Sequence, residues 1–341
     1  MPIFQQCCIN NFKRNKHFIA QNIQLSNFSQ YYPIFKRLVI THMNITSTIY
    51  TSILISLLAP FLSAQEVRVA SWNIEHLAEH NGAGCAPRST LDYEQLRDFS
   101  QLLNADIIAL QEVENTAAVE RIFPKSEWNI VLSDRPNSTT YRCRGNDQES
   151  TQQRVAVVLR KGIKYQINKS FRELGLEMEG LRYGVVVEVF GDRDTINLMA
   201  VHLKSGCFVD DYSTSKLRAC EVLGTQIDTL DDWIENSIRG NKKFIVLGDF
   251  NSRLTRENSM FWNKLVEMNN RPIGIKNGMQ NLTGCHPRYP DLIDHIILGP
   301  QTSKLQVQNS QMVHFYSSTD EQMAEDDMLS DHCPISLMLR L

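Results

Sequence analysis

Three strand-like stretches follow one another in the middle of this chain, at 154–160, 185–190 and 195–203, with no helical pattern between them. A parallel pair needs a long crossover, usually a helix, so these three are expected to pair antiparallel. Elsewhere the pattern differs. Residues 67–73 (VRVASWN) alternate like a strand, and 91–103 (LDYEQLRDFSQLL) place Leu91, Leu96, Phe99, Leu102 and Leu103 at helical spacings. Residues 106–112 (DIIALQE) then read as a buried strand, and strand, helix, strand in this order points to layered α/β architecture. A long amphipathic helix at 215–238, ended by Gly240, leads straight into the apolar run 244–247, which Gly248 is expected to stop. Residues 292–298 and 334–339 read as closing strands. The chain thus predicts a mixed α/β (α+β) fold rather than a pure βαβ series. Without an internal repeat or a long linker, residues 65–341 are expected to form a single domain.

The first 64 residues have a different character. They hold five basic residues, Lys13, Arg14, Lys16, Lys36 and Arg37, and no Asp or Glu. Residues 49–62 (IYTSILISLLAPFL) form an apolar run that is short for a membrane span and has the length of a signal-peptide core. The reading is a secretory signal cleaved after Ala64, with Met43 as an alternative initiator and a retained anchor as the competing reading. The remainder carries 30 basic residues against 38 acidic ones, a formal charge of −8. It also carries six cysteines, Cys85, Cys143, Cys207, Cys220, Cys285 and Cys333, with no CxxC spacing. An even number in an exported chain points to disulfides rather than metal ligation. Cys207 with Cys220 is the best local pair, Cys85 with Cys143 the next, and Cys285 with Cys333 follows by elimination.

Polar groups recur at the ends of the strand candidates: Asn73, Glu112, His202, Asp249 with Asn251, Asp294, and Asp331 with His332. Each alone has a structural reading as a turn former, a cap or a packed imidazole. A sheet, however, collects strand ends along one edge, so residues distant in sequence can converge. If strand geometry persists through Phe250, Asp249 and Asn251 emerge on one face and Phe250 packs on the other. A carboxylate and an amide aimed together suit a hard cation or a phosphate oxygen.

The segments SWNIE (71–75), LQEVE (110–114), VHLKSG (201–206), LGDFNSR (247–253), LIDHIIL (292–298) and SDHCPI (330–335) resemble, in order and over nearly all of residues 65–341, the motifs of the endonuclease/exonuclease/phosphatase family. The resemblance is to its deoxyribonuclease I-like secreted bacterial nucleases. It implies a four-layer sandwich of two packed mixed sheets flanked by helices, with the site at one end. It further implies that Glu112 is a direct ligand of Mg²⁺, for which Mn²⁺ or Ca²⁺ can substitute, with Asn73 and Asp331 completing the metal site. His332 oriented by Asp294 is implied as a catalytic pair, and Asp249 and Asn251 as the residues that position water and phosphate. His202 resembles a second histidine that assists the leaving oxygen, but the residue expected to orient it is Gln153 rather than a glutamate, which weakens that role. Arg154 and Asn251 are the candidate phosphate contacts.

The implied activity is hydrolysis of DNA or RNA by in-line attack of water on phosphate. The net negative charge argues against a general polyanion binder. Local charge can override it, since Arg135, Arg142, Arg144 and Arg154 lie in one segment, as a phosphate groove or as a solvated loop. Two other readings stay open: a phosphoesterase acting on lipid, inositol-phosphate or nucleotide substrates, and a catalytically degenerate binding protein. No stable membrane association is expected after signal removal, and no protein partner is inferable.

Overall fold

A computed structural model describes residues 64–316, 324 and 328–341. Of the expected extension and signal segment, residues 1–64, all but Ala64 lie outside them.

Two six-stranded sheets face each other. The first contains β1 (Glu66–Leu77), β2 (Ile107–Val113), β3 (Trp128–Leu132) and β4 (Arg154–Arg160), with β13 (Met312–Val313) and β14 (Ile335–Arg340), in the order β13-β14-β1-β2-β4-β3. The second contains β5 (Lys164–Ile167), β6 (Val185–Phe190), β7 (Thr195–His202), β8 (Phe244–Asp249), β11 (Lys276–Asn277) and β12 (Asp294–Leu298), in the order β11-β12-β8-β7-β6-β5. β9 (Glu267–Met268) and β10 (Arg271–Pro272) form a small separate hairpin. Each sheet has one parallel pair at its centre, β1 with β2 and β7 with β8, and every other pairing is antiparallel. The parallel pairs are those joined by helical crossovers, as the connection rule requires.

Strand alternation builds three layers of core. Val67 and Val69 of β1, Ile107 and Ala109 of β2, Leu198 and Ala200 of β7, and Ile245 and Leu247 of β8 pack between the sheets. The intervening residues face outward. Trp72, Ile108 and Leu110 meet Tyr93, Leu96 and Phe99 of α1 (Thr90–Leu102) and Ala118 and Val119 of α2 (Thr116–Glu120). Val246 and Phe244 meet Leu223, Ile227, Leu230 and Ile234 of α3 (Arg218–Arg239), with Phe261 and Leu265 of α4 (Met260–Leu265) beside them. Helix, sheet, sheet, helix is the four-layer order expected. α1 begins with a capping box, in which Ser89 accepts from the Asp92 amide and Asp92 accepts from the Ser89 amide. None of the described helices is long and apolar enough to cross a membrane.

Two expectations change. Gly248 does not stop its strand: β8 runs on through Asp249. The glycine has φ 147°, and a Cβ there would lie 2.0 Å from the Val201 carbonyl oxygen, so it allows the parallel neighbour to approach rather than breaking the strand. Strand geometry also fails to persist through Phe250, because Asn251 is left-handed (φ 51°). Phe250 nevertheless packs outward into the α3 layer as expected.

Three disulfides join Cys85 to Cys143, Cys207 to Cys220 and Cys285 to Cys333. The second ties the loop after β7 to the first turn of α3, and the third fixes the residue after His332 to the loop before β12.

Candidate active site

The alternation that fills the inter-sheet core also supplies the site. Continuing the inward row by two residues gives His202 on β7, Asp249 on β8 and, at the start of β12, Asp294, and on β1 the row runs through Ser71 to Asn73. Register sharpens this: Asp249 lies opposite His202 on its parallel side and opposite Asp294 on its antiparallel side. One row of the second sheet therefore reads His202, Asp249, Asp294.

Glu112 cannot arrive by alternation. Ile108 and Leu110 point outward, and Glu112 would follow them. Instead it takes a left-handed conformation (φ 61°) where the pairing registers of β2 with β1 and β4 both shift. A bulge with a non-glycine residue at positive φ stores strain and re-aims a side chain, and such strain clusters at functional sites. The Glu112 carboxylate consequently faces the cleft, accepting from the His76 amide at 3.2 Å, Gln153 Nε2 at 2.9 Å and Asn73 Nδ2 at 3.5 Å. Glu75 and His76 are left-handed too. Buried Arg88 clamps this stretch by donating to the carbonyls of Ile74, Glu75 and Leu329.

Asp249 is the hub of the opposite wall. Its Oδ2 accepts from Asn73 Nδ2 at 3.0 Å, and its Oδ1 accepts from the Asn251 amide at 2.7 Å. His202 Nε2 stands 3.4 Å from the same carboxylate, and His332 Nε2 stands 3.9 Å from it. On its other side the His332 imidazole donates through Nδ1 to Asp294 Oδ2 at 2.6 Å. Two contacts hold the His332 backbone, its amide donating to Ser330 Oγ and its carbonyl accepting from the Tyr316 hydroxyl, and Ser330 Oγ in turn donates to the Asn73 carbonyl at 2.7 Å. Asn251 Nδ2 donates to the Leu203 carbonyl. Of the expected site residues, Asn73, Glu112, His202, Asp249, Asn251, Asp294, Asp331 and His332 thus come together. Gln153 bonds Glu112 rather than His202, whose buried Nδ1 has no hydrogen-bond partner among the described residues. Arg154 braces the surrounding loops, donating to the Glu114 and Arg135 carbonyls and to Asn137 Oδ1.

The electrostatics divide the site into two parts. Burial opposes charge on His332, but Asp294, Asp249 and Asp331 override it and hold the imidazole well above its ordinary value, so it is a cation at neutral pH. Burial pushes Asp249 up to about 7, with Asp294 adding to the rise and His332 opposing it. Burial, together with Arg182, His332 and His76, drives His202 well below its ordinary value, leaving it neutral. Across the cleft stand Glu112, Glu75 and Asp331. Burial and Asp331 raise the Glu75 carboxyl. Asp331 keeps 56% of its side chain open at the mouth, while burial of its inner part and the charge of Glu112 raise it. Carboxylates that repel one another in a half-buried cleft form an oxygen-donor set that a hard divalent cation would relieve, so the residues fit such an ion. The oxygens of Asp249 and Asp294 and the imidazole of His332 also present donor atoms within 4.8 Å of one another. In that group the Asp294 bond already engages Nδ1, which fits a proton-handling chain better than a ligand set.

Arg88, Ser330, Tyr316 and Arg182 were not legible in the sequence. The first three act through backbone groups remote in the chain, and no spacing signals that.

A family model described as the endonuclease/exonuclease/phosphatase family matches residues 70–332. A curated protein named deoxyribonuclease, from Thioalkalivibrio sp. (strain K90mix), is 30% identical over 97 residues, a match spanning 27% of this chain and only 24% of that protein. Among solved structures, D. rerio TDP2 complexed with a single-strand DNA product aligns with TM-score 0.52 and 16% identity, over 81% of this chain and 100% of that one. The human Nocturnin catalytic domain with bound sulfate aligns with TM-score 0.52 and 16% identity, over 80% of this chain and 93% of that one. At such identities the structural matches speak to the fold alone. Two mixed sheets with a polar cluster where their inward rows end, matched by the family model over most of the chain, place this protein in the endonuclease/exonuclease/phosphatase family.

Proposed function

We propose that this protein is an exported, divalent-metal-dependent phosphodiesterase, a nuclease that hydrolyses DNA, RNA or both by in-line attack of water on phosphate. The observation that carries the reading is the continuous chain Asp294–His332–Asp249–Asn73–Glu112 across the cleft. It sets an imidazolium and a near-neutral acid–base group against a wall of carboxylates. Glu112 and Asp331, with Asn73 holding Glu112 in place, would bind the cation, Mg²⁺ by the chemistry of the donors. The ion would neutralise charge on the phosphoryl oxygens.

This chain's own residues do the rest. Asp249, with a carboxyl poised near neutrality and fixed by Asn73 and the Asn251 amide, accepts the proton of the attacking water. His332, kept protonated by Asp294, donates hydrogen bonds to a non-bridging phosphate oxygen as negative charge builds there. Asn251 orients the phosphate. Neutral His202 donates a hydrogen bond rather than a full proton at the leaving side, a role secondary to that of His332. The three disulfides support export to an oxidising compartment. The Thioalkalivibrio relative's name and the DNA product held by the TDP2 structure support a nucleic-acid substrate.

The test is a panel. Purified residues 65–341 are offered plasmid DNA, RNA, sphingomyelin and a phosphomonoester, each with Mg²⁺, Mn²⁺, Ca²⁺ or EDTA. The expected result is metal-dependent cleavage of nucleic acid above all other substrates. Faster turnover of sphingomyelin or of the monoester would reassign the substrate, and no turnover of any phosphoester would leave a binding protein.

A further inference from the structure

Arg135 is 6% exposed, and among the described residues its Nε–H has no acceptor. It lines a depression of about 160 Å³ between the turn 135–138 and the loop 175–183, together with Asn137, Ser138, Leu181 and Tyr183. Arg154 and Arg182 both lie close enough to act on its charge, which burial and these two cations push down to about 10. Among the described residues no carboxylate forms an ion pair with Arg135, Arg154 or Arg182. The buried Nε–H of Arg182 also lacks an acceptor among these residues. The other arginines of this segment are accounted for: Arg142 pairs with Asp147 in its own turn, and Arg144 is exposed.

A buried guanidinium without a counter-ion is costly, and replacing such groups by apolar ones is often neutral or stabilising. Its planar fork of donors is the usual match for a phosphate. Two carboxylates, Glu177 and Glu179, stand at the exposed mouth, and Glu179 is engaged by the Thr139 amide and hydroxyl. Exposed charges of this kind are screened by solvent, whereas the buried guanidinium is not. Arg182, between the lining residues Leu181 and Tyr183, does not line the depression but turns toward the reaction site, donating to Gln153 Oε1 at 2.7 Å, and Gln153 in turn donates to Glu112 at 2.9 Å.

We propose that the Arg135 depression is a second phosphate subsite, which holds a phosphate group of the substrate other than the one being hydrolysed. The inference rests on the phosphodiesterase reading for its use in catalysis, though not for anion binding itself. The phosphate can be one in the polynucleotide backbone or one at a strand terminus.

Two measurements test it. In the first, the Arg135 Nε–H resonance, assigned by its loss in Arg135→Met, is followed while inorganic phosphate is added. A saturable shift is expected, and no shift at phosphate concentrations that saturate the rest of the site would overturn the proposal. In the second, Arg135→Met and Arg135→Lys are compared with wild type on a polynucleotide and on a diester with a single phosphate. The Met variant should raise KM on the polynucleotide about tenfold, the worth of one charge-assisted contact. Its salt dependence should be shallower by about 0.7 to 0.9 in log–log slope. The single-phosphate diester should be affected less than twofold, and the Lys variant should fall between. Equal changes on both substrates, or none on either, would overturn the proposal. Oligonucleotides with and without a terminal phosphate distinguish the two sources. If the wild type hydrolyses neither substrate, the phosphodiesterase reading fails, and the resonance alone decides the anion site. The Met variant should melt at or above the wild-type temperature, which a structural role for the guanidinium would not allow.

Discussion

Among single residues, the two histidines of the site differ in charge and in partners. His332 is an imidazolium bonded to Asp294, whereas His202 is neutral, its Nδ1 unpartnered among the described residues. His332→Ala should lower kcat about 10³-fold, within the usual span of acid–base contributions, and His202→Ala only about tenfold, below that span. Rates of the two variants, compared at matched folding by circular dichroism, check this, and equal losses would contradict it. A third histidine is structural. Burial lowers His295 from 6.5 to about 4. Its Nδ1 accepts from Asn277 Nδ2, and Nε2 donates to the Ser252 carbonyl, which fastens the turn after Asp249. Because the folded value lies below the unfolded one, the stability from keeping His295 neutral is fully present above pH ~6.5 and lost as pH falls toward ~4. The loss is about 3 kcal/mol in all. Urea midpoints at pH 7 and pH 4.5 should show that slope in the wild type and a flatter one in His295→Gln.

At the scale of elements, the strand ends were legible because an apolar run followed by a polar residue marks where a core row reaches water. Asp249, which follows its run, could be read that way, and Asp294 marks the same boundary at the start of β12. Glu112 could not be oriented so, since strand parity sends it outward and only the bulge turns it in. Strands β3 and β5 escaped notice because they are short and partly exposed, and β5 shows no alternating burial. Gly248 carried a signal that pattern alone misreads, because its lack of a side chain serves a neighbouring strand and not a turn. Gly248→Ala should destabilise the protein by about 3 kcal/mol, the upper range for overpacking, measured by chemical denaturation. The Cys285–Cys333 bridge has a sequence separation of 48, for which chain entropy gives a stabilisation of about 4 kcal/mol. Since Cys333 follows His332, Cys285→Ser should lower both the melting temperature and kcat. A variant that melts lower but turns over at the wild-type rate would show that the bridge does not position His332.

At the scale of the whole molecule, two sheets of matching layout bring their inward rows to a common end, and chemistry collects there because the apolar core stops. With a net charge of −8 outside the first 64 residues, the phosphate recognition proposed above falls to local groups: His332, Asn251 and Arg135. Under the proposed function, phosphodiester hydrolysis requires a divalent cation held by Glu112. The most direct test is the rate of DNA cleavage as a function of Mg²⁺ concentration for the wild type and for Glu112→Gln. The wild type should rise to saturation and fall to background in EDTA, and the variant should lose at least about 100-fold at saturating Mg²⁺. Cleavage by the wild type that persists in EDTA, or a Glu112→Gln variant that cleaves at the wild-type rate, would contradict the account.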